Sequence, residues 1–564
     1  MPVRVDVLGD SPLDPSAEQI LVPMRDGIRL ATDVHLPEGV TPVPAILVRL
    51  PYDKCGRYTF MPQIAPFFTD REYAFVAQDV RGKFRSEGAT IAFVHEVEDG
   101  YDTLEWLVSQ PWCDGNVGMW GDSYYGFTQW AAVASRHPAL KAIVPRVTSA
   151  DLGGRFGPES IIPLYMGEYL ANYWLDHRVQ HWEVDYGHRP LSEVFDPGFE
   201  VVGRRSESFD RFVEESVGGR SLMTFPDGHP FEAVRIPVLH TGGWFDNLMP
   251  DQMRDYDALI ARPEIAGHQY LEMDSTDHEN YHLELLPIGP QDNHDTNDEA
   301  LARMLPRYLG SALDFFDRFL KGTGEDLPRV RWHQGNDGWR TAESWPPPGA
   351  RELRLHLSAA NRAGAGVEGG RLSAEPDGKP TVARWMHDPA DLVPSSVADP
   401  FSFLREVPDE RAAEERPDVI TFTSDALDGP LDLIGPISVQ VGVTSTAPST
   451  ALFAKLIDVG LDGSTLMLAR GQTMVRDPDP TRPVRIDLAH MGYQVLPGHR
   501  LRLQLASSDF PLYLPYPGTD EDPWHAVTET PSEQTMQVGG GSEAYISVTI
   551  GPADLSSERG PRPG

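Results

Sequence analysis

Ser123 stands in the run Val117-Gly118-Met119-Trp120-Gly121-Asp122-Ser123-Tyr124-Tyr125-Gly126, which continues as Phe127-Thr128-Gln129-Trp130-Ala131-Ala132. The first part reads as a short apolar strand, the last as the opening of a helix, and the serine falls on the turn between them. Such a turn is sharp enough to exclude a large side chain two positions before the serine, where Gly121 stands. The helix behind it directs free N–H groups toward any negative oxygen that forms next to the serine. A serine presented this way is a nucleophile when an acid and then a histidine follow it in the chain. The rest of the sequence is therefore constrained to supply both from the ends of later strands.

The surrounding pattern fits. Ile20-Leu21-Val22-Pro23-Met24 and Ile28-Arg29-Leu30-Ala31-Thr32-Asp33-Val34 flank Asp26-Gly27, a hairpin signal. Pro44–Val48, Tyr73–Ala77 and Ala142–Val144 are short apolar runs suited to buried parallel strands. Val97, Tyr101, Leu104 and Val108 keep helical spacing. Alternating strand and helix implies a mostly parallel sheet covered on both faces. The rhythm stops near residue 150. Residues 160–235 carry aromatics, charges and helical stretches near Leu164–His177 and Phe209–Val217, with no strand alternation, and read as an inserted helical cap. It resumes at Ile236–His240 and Gln269–Met273, and a long helix follows over Ala300–Leu320. After Pro346-Pro347-Pro348-Gly349 come short alternating runs at Leu353–Leu357, Ile437–Val441, Leu452–Ile457, Leu501–Leu505 and Ala544–Val548. These predict an all-β sandwich or jelly roll with long loops such as 359–420. The expected division is 1–150 and 235–348 for an α/β core, 151–234 for the cap, 349–552 for the β domain and 553–564 for a polar, disordered tail.

Serine needs a base to take its proton and a third group to orient that base. Val238–Gly243 leads into Trp244-Phe245-Asp246, and Gln269–Met273 leads into Asp274-Ser275-Thr276-Asp277-His278. Asp246 and His278 thus fall in loops after strands, in the required order. Asp251 and Asp257 compete with Asp246 but read as a solvated helix face. His268 precedes its strand, and His282 lies a few residues beyond His278. Asp122 and Asp277 adjoin the candidates and read as solvated or loop-bonding groups. The oxyanion hole needs two donors. The Tyr124 amide is the first. The loop Arg49-Leu50-Pro51-Tyr52-Asp53-Lys54 carries no His-Gly-Gly run, so the second is either the Tyr52 hydroxyl or absent, with Tyr52 a partly buried aromatic.

The chain has 564 residues and a formal net charge of -36, which disfavours nucleic acid and anionic membranes as partners. Two cysteines, Cys55 and Cys113, leave no disulfide framework and no zinc-type cluster to expect. No signal peptide and no membrane-length apolar run is visible, so a cytoplasmic location is the expectation.

At these residues the chain resembles the cocaine esterase and X-prolyl dipeptidyl aminopeptidase group, the CocE/NonD hydrolases. The resemblance rests on Met24-Arg25-Asp26-Gly27, Pro51-Tyr52-Asp53-Lys54, Gln78-Asp79-Val80-Arg81-Gly82, Ser86-Glu87-Gly88, Glu105-Trp106-Leu107 and Gln110-Pro111-Trp112. It continues through Gly121–Gly126, Gly243-Trp244-Phe245-Asp246, Asp388–Val393 and Ala454–Val459. It implies an α/β-hydrolase core with an inserted helical cap and a C-terminal jelly roll, with the active site where the three meet. It implies Ser123, Asp246 and His278 as a triad, and Tyr52 with the Tyr124 amide as the oxyanion hole. Leu248, Trp244 and Tyr165 are expected to line the substrate pocket. Tyr125 is bulky where many α/β-hydrolases have glycine; the family carries the glycine one place later, as Gly126.

Three readings follow. The first is a serine carboxylesterase acting on a small-molecule ester through an acyl-enzyme, with no metal or organic cofactor. The second is amide chemistry on the same scaffold, as an X-prolyl dipeptidyl peptidase or an α-amino acid ester or β-lactam acylase. That reading needs a carboxylate near the serine, for which the cap offers Glu159, Glu168 and Asp176. The third is a binding protein with an idle hydrolase core. Oligomeric state is left open, a homo-oligomer included.

Overall fold

The computed structural model describes residues 5–7, 9–39, 42–152, 154, 156–176, 179–360, 369–397 and 409–552; the expected polar tail 553–564 lies outside them. Ten strands form one sheet. From one edge to the other they are Gly338–Ala342, Val330–Gln334, Gln269–Asp274, Val238–Gly243, Leu140–Arg146, Cys113–Asp122, Val43–Leu50, Ala74–Asp79, Arg29–His35 and Glu18–Pro23. The run from Val330–Gln334 to Ala74–Asp79 is parallel, and the strands at either edge are antiparallel. Every residue of Val43–Leu50 and of Ala74–Asp79 is buried, which accounts for the apolar runs Pro44–Val48 and Ala74–Ala77 inside them, while the polar Arg49, Gln78 and Asp79 are confined to their C-terminal ends.

Helices cover both faces. Met61–Thr69 and Asp298–Phe319 pack on one side, the long helix through Leu301, Leu305, Tyr308, Ala312 and Phe316. Glu96–Val108, Ser123–Ala134 and Met249–Ile260 cover the other through Leu104, Trp130 and Leu259. Because the central strands run parallel, the loops after Leu50, Asp122, Gly243 and Asp274 all open at one edge of the sheet. That shared edge carries Tyr52, Ser123, Asp246 and His278.

The segment after residue 150 is largely helical, with Leu164–Asn172, Asp196–Val202 and Glu207–Val217 packed around Trp174, Trp182, Phe195 and Phe209. It is not free of strand: Val179–Trp182 pairs antiparallel with Val5–Val7 near the N-terminus. A pair this short has no room for an alternation that could be read beforehand. Beyond Pro346 a nine-stranded and a three-stranded sheet build the all-β domain. The stretch expected as loop at 359–420 contains the strands Gly370–Ser373 and Thr381–His387. The second alternates in burial, but its outward Val382 and Met386 are apolar like its inward Ala383 and Trp385, which blurred the alternation in sequence. Among the described residues no helix is long and apolar enough to cross a membrane. Cys55 and Cys113 are both free thiols.

Candidate active site

The strand Cys113–Asp122 ends with Asp122 still extended (φ -99°, ψ 156°), and the helix begins at Ser123, whose φ is 51°. A left-handed φ on a non-glycine residue is strained and persists only where the surroundings hold it. Here the Thr148 hydroxyl donates to the Ser123 carbonyl at 2.6 Å, and the Gln129 amide donates to the Gly121 carbonyl at 3.1 Å. Gly121 has φ 146°, and a Cβ there would lie 2.1 Å from the Tyr125 ring. Tyr125 thus takes the space that glycine leaves, and its ring packs edge-on to Tyr52 and Trp120.

Asp246 and His278 meet across neighbouring strand ends. His278 Nδ1 and Asp246 Oδ1 are 2.7 Å apart, and the same carboxylate oxygen accepts from the Leu248 amide at 3.1 Å. The Asp246 side chain is wholly buried and that of His278 nearly so. Burial disfavours the imidazolium. The charge of Asp246 and its hydrogen bond, with Glu279 and Asp122 adding to them, outweigh burial and hold His278 above its ordinary pKa. The histidine loop is closed at its base by pairing of Thr276 with His282 and braced inside by Asp277, which accepts from the Glu279 and Tyr281 amides.

The competing residues are engaged elsewhere. Asp251 pairs with Arg254, Asp257 meets His490 at 3.2 Å, and His282 sits 3.3 Å from Asp274. Asp122 and Asp277 make the hydrogen bonds expected of loop groups but are buried, not solvated. Asp122 accepts from the Tyr308 hydroxyl at 2.7 Å and lies 3.6 Å from Arg146.

A cavity of about 40 Å³ is lined by Ser123, His278, Tyr52, Tyr125, Glu279 and Tyr308, among others. The Tyr52 hydroxyl approaches Ser123; burial pushes its pKa up to about 12, against hydrogen bonds from Tyr169 and Ser123 that pull it down. It therefore stays protonated and able to donate at neutral pH. The Tyr124 side chain points away. Its hydroxyl donates to Glu96 at 2.9 Å and accepts from the Phe93 amide at 2.8 Å, which leaves the backbone as the part of Tyr124 beside the serine. Leu248 and Tyr165 do not line this cavity: Leu248 is buried in the apolar cluster that joins Tyr124 to the cap, and Tyr52 and Tyr165 pack against that cluster. Trp244 is a correction. It does not line this cavity but is buried between the core and the β domain, stacked on Trp345 at 5.0 Å with its indole N–H on the His333 carbonyl at 3.0 Å. Of the cap acids, Glu168 accepts from Tyr186, Asp176 pairs with Arg204 at 3.0 Å, and Glu159 is exposed.

Three neighbours of the site went unread in the sequence. Glu279 accepts from the Tyr58 hydroxyl at 2.9 Å beside His278. Tyr169 shares a hydrogen bond of 3.0 Å with Tyr52. The spacing of Tyr165, Tyr169 and Tyr173, four residues apart on one helix face, was the available signal for the last.

Among the described residues, Asp274, His282 and His333 are the group whose donors could converge on a metal ion. The carboxylate is already occupied. Asp274 Oδ1 accepts from the Ser275 amide at 2.8 Å and faces His282, and Arg307 lies 3.6 Å from Oδ2. A guanidinium in that place supplies the positive charge a cation would bring.

Residues 26–156 match the model of the X-Pro dipeptidyl-peptidase (S15 family), and residues 321–547 that of the X-Pro dipeptidyl-peptidase C-terminal non-catalytic domain. The chain is 32% identical over 554 residues to cocaine esterase from Rhodococcus sp. (strain MB1 Bresler), covering 88% of this chain and 91% of that one. Among solved structures it is similar to an α-amino acid ester hydrolase, with 25% identity, a TM-score of 0.75 and coverage of 96% of this chain and 98% of the other. An aminopeptidase from a marine sediment Thaumarchaeota archaeon shares the fold at 23% identity and a TM-score of 0.76, over 96% of this chain and 99% of the other. The chain belongs to the CocE/NonD family of α/β-hydrolases, the cocaine esterase and X-prolyl dipeptidyl-peptidase group, and is a hydrolase.

Proposed function

We propose that the protein is a serine esterase that cleaves small carboxylic esters through an acyl-enzyme. The observation that carries this is the convergence of Ser123, the His278–Asp246 pair and the Tyr52 hydroxyl around one cavity. In this reading Ser123 Oγ attacks the ester carbonyl while His278 Nε2 takes its proton. Asp246 holds the Nδ1–H and stabilises the imidazolium that forms. The Tyr52 hydroxyl and the Tyr124 amide donate to the oxygen as it becomes negative. Collapse expels the alcohol, protonated by His278. A water then repeats the sequence and frees the acid; the cavity has room for ordered water. The curated relative's name, cocaine esterase, supports ester over amide.

Amide or amino-acid ester chemistry is the second reading. It is favoured by one feature, the Glu279 carboxylate lining the cavity, where a substrate ammonium could pair with it. The pairing of Glu168 with Tyr186 and of Asp176 with Arg204, and the exposure of Glu159, speak against a carboxylate cluster in the cap. A serine-reactive fluorophosphonate should label the protein and fail to label Ser123→Ala. p-Nitrophenyl esters of short acids should turn over faster than Gly-Pro-anilide. Faster anilide turnover overturns the esterase reading, and labelling that persists in Ser123→Ala overturns the nucleophile.

A further inference from the structure

The oxyanion loop does not stand alone. Tyr52 has one hydroxyl proton and two neighbours for it, the cavity beside Ser123 and the Tyr169 oxygen 3.0 Å away. If Tyr52 donates to Tyr169, that proton is withdrawn from the substrate. If Tyr169 donates to Tyr52, the Tyr52 proton is released toward the cavity, and the phenol is polarised into a better donor. Tyr169 belongs to the cap helix Leu164–Asn172, and the architecture around it fixes both ends of this helix. At the start, the Leu164 amide donates to the Leu512 carbonyl at 2.8 Å and the Leu514 amide to Ile162 at 2.8 Å, which ties the helix to the β domain. At the end, the Tyr173 hydroxyl donates to the Pro51 carbonyl, one residue before Tyr52. Tyr169 and Tyr173 stack at 5.7 Å with their planes 7° apart, and the Tyr173 ring lies 5.5 Å from that of Tyr52. The Lys83 ammonium of the core sits 3.8 Å over the Tyr173 ring and donates to its carbonyl, pinning the helix end.

We propose that Tyr169 is a positioning residue for the reaction: it donates to the Tyr52 oxygen and so aims the Tyr52 proton at the developing oxyanion, making the cap helix part of the oxyanion hole. This rests on the reading of Tyr52 as an oxyanion donor. Tyr169 touches no reacting atom. Its effect passes through Tyr52 alone and appears only where Tyr52 has a hydroxyl to aim.

The experiment is a double-mutant cycle in the full-length enzyme with Tyr52→Phe, Tyr169→Phe and the pair, using a p-nitrophenyl ester. Active-site titration with the fluorophosphonate corrects each rate for the fraction correctly folded. Tyr52→Phe should lower kcat on the order of a hundredfold. Tyr169→Phe keeps the stacked ring and should lower kcat about three- to tenfold with KM within about twofold, the size of one neutral hydrogen bond. The pair should be no slower than Tyr52→Phe alone. A Tyr169→Phe loss that multiplies with that of Tyr52→Phe, or no loss in Tyr169→Phe while Tyr52→Phe is impaired, overturns the positioning role and leaves the oxyanion reading standing. A Tyr52→Phe enzyme with full kcat overturns the oxyanion reading and the positioning role with it.

Discussion

Gly243 ends the strand that leads to Asp246, and it is the place where the acid loop and the histidine loop press together. A Cβ at this position would lie 2.1 Å from the Thr276 carbonyl oxygen and 2.7 Å from its Oγ1, against an ordinary contact of 3.4 Å or more. The obstacle is backbone, so it cannot rotate aside. In Gly243→Ala the two loops must part by about 1.3 Å, the shortfall from ordinary contact. The Phe245 amide, which donates to that same carbonyl at 3.1 Å, would be drawn out of hydrogen-bond range. Thr276 lies two residues before His278, so the displacement passes into the 2.7 Å contact between His278 and Asp246. A misplacement of about 1 Å in a catalytic group costs on the order of a hundredfold in rate. Overpacking should also cost about 1–3 kcal/mol of stability. The expected result is a folded Gly243→Ala enzyme with kcat for a p-nitrophenyl ester lowered about a hundredfold. Urea unfolding and the titrated count of reactive serines separate the two effects. A variant that keeps wild-type kcat would refute the claim that this glycine sets the acid–base geometry.

Two further outcomes concern charge. In the proposed role of base His278 must be neutral, and its surroundings hold it above the ordinary value of about 6.5. Activity should thus fall on the acid side with an apparent pKa above about 6.5. Asp246→Asn should shift that limb to lower pH while cutting the plateau rate by about 10³–10⁴; a limb that stays in place in the pH profile contradicts the assignment. His240 is buried between Trp130 and Tyr256, and burial pushes it down to about 4. In the folded chain it stays neutral where the unfolded chain takes up a proton. Stability is fully present above about pH 6.5 and is lost as pH falls toward 4, by about 3 kcal/mol from this group. Urea midpoints between pH 7 and 4.5 should therefore decline less steeply in His240→Gln; an unchanged decline rules the group out as the source.

What could be read without coordinates was whatever local sterics and chain order impose. The glycine before Ser123 is required by a turn that a side chain cannot enter, and the order of serine, acid and histidine follows from loops at one edge of a parallel sheet. Fully buried strands announce themselves as unbroken apolar runs, and the long helix by its spacing. The same logic placed Asp246 and His278 in neighbouring loops, though not their 2.7 Å contact. What remained hidden depends on contacts between residues far apart in the chain. Tyr52 and Tyr169 are 117 positions apart, and Asp122 and Tyr308 are 186 apart. No periodicity links such residues, because their meeting is decided by how the cap and the long helix pack on the sheet. Trp244 shows the same division within a few residues. Its motif marked it as a neighbour of Asp246, but its indole is buried where the core meets the β domain, stacked on Trp345 and beside Gly492. The chain's own pattern determined an α/β scaffold with a serine on a sharp turn; tertiary packing decided which distant side chains surround that serine and which face away.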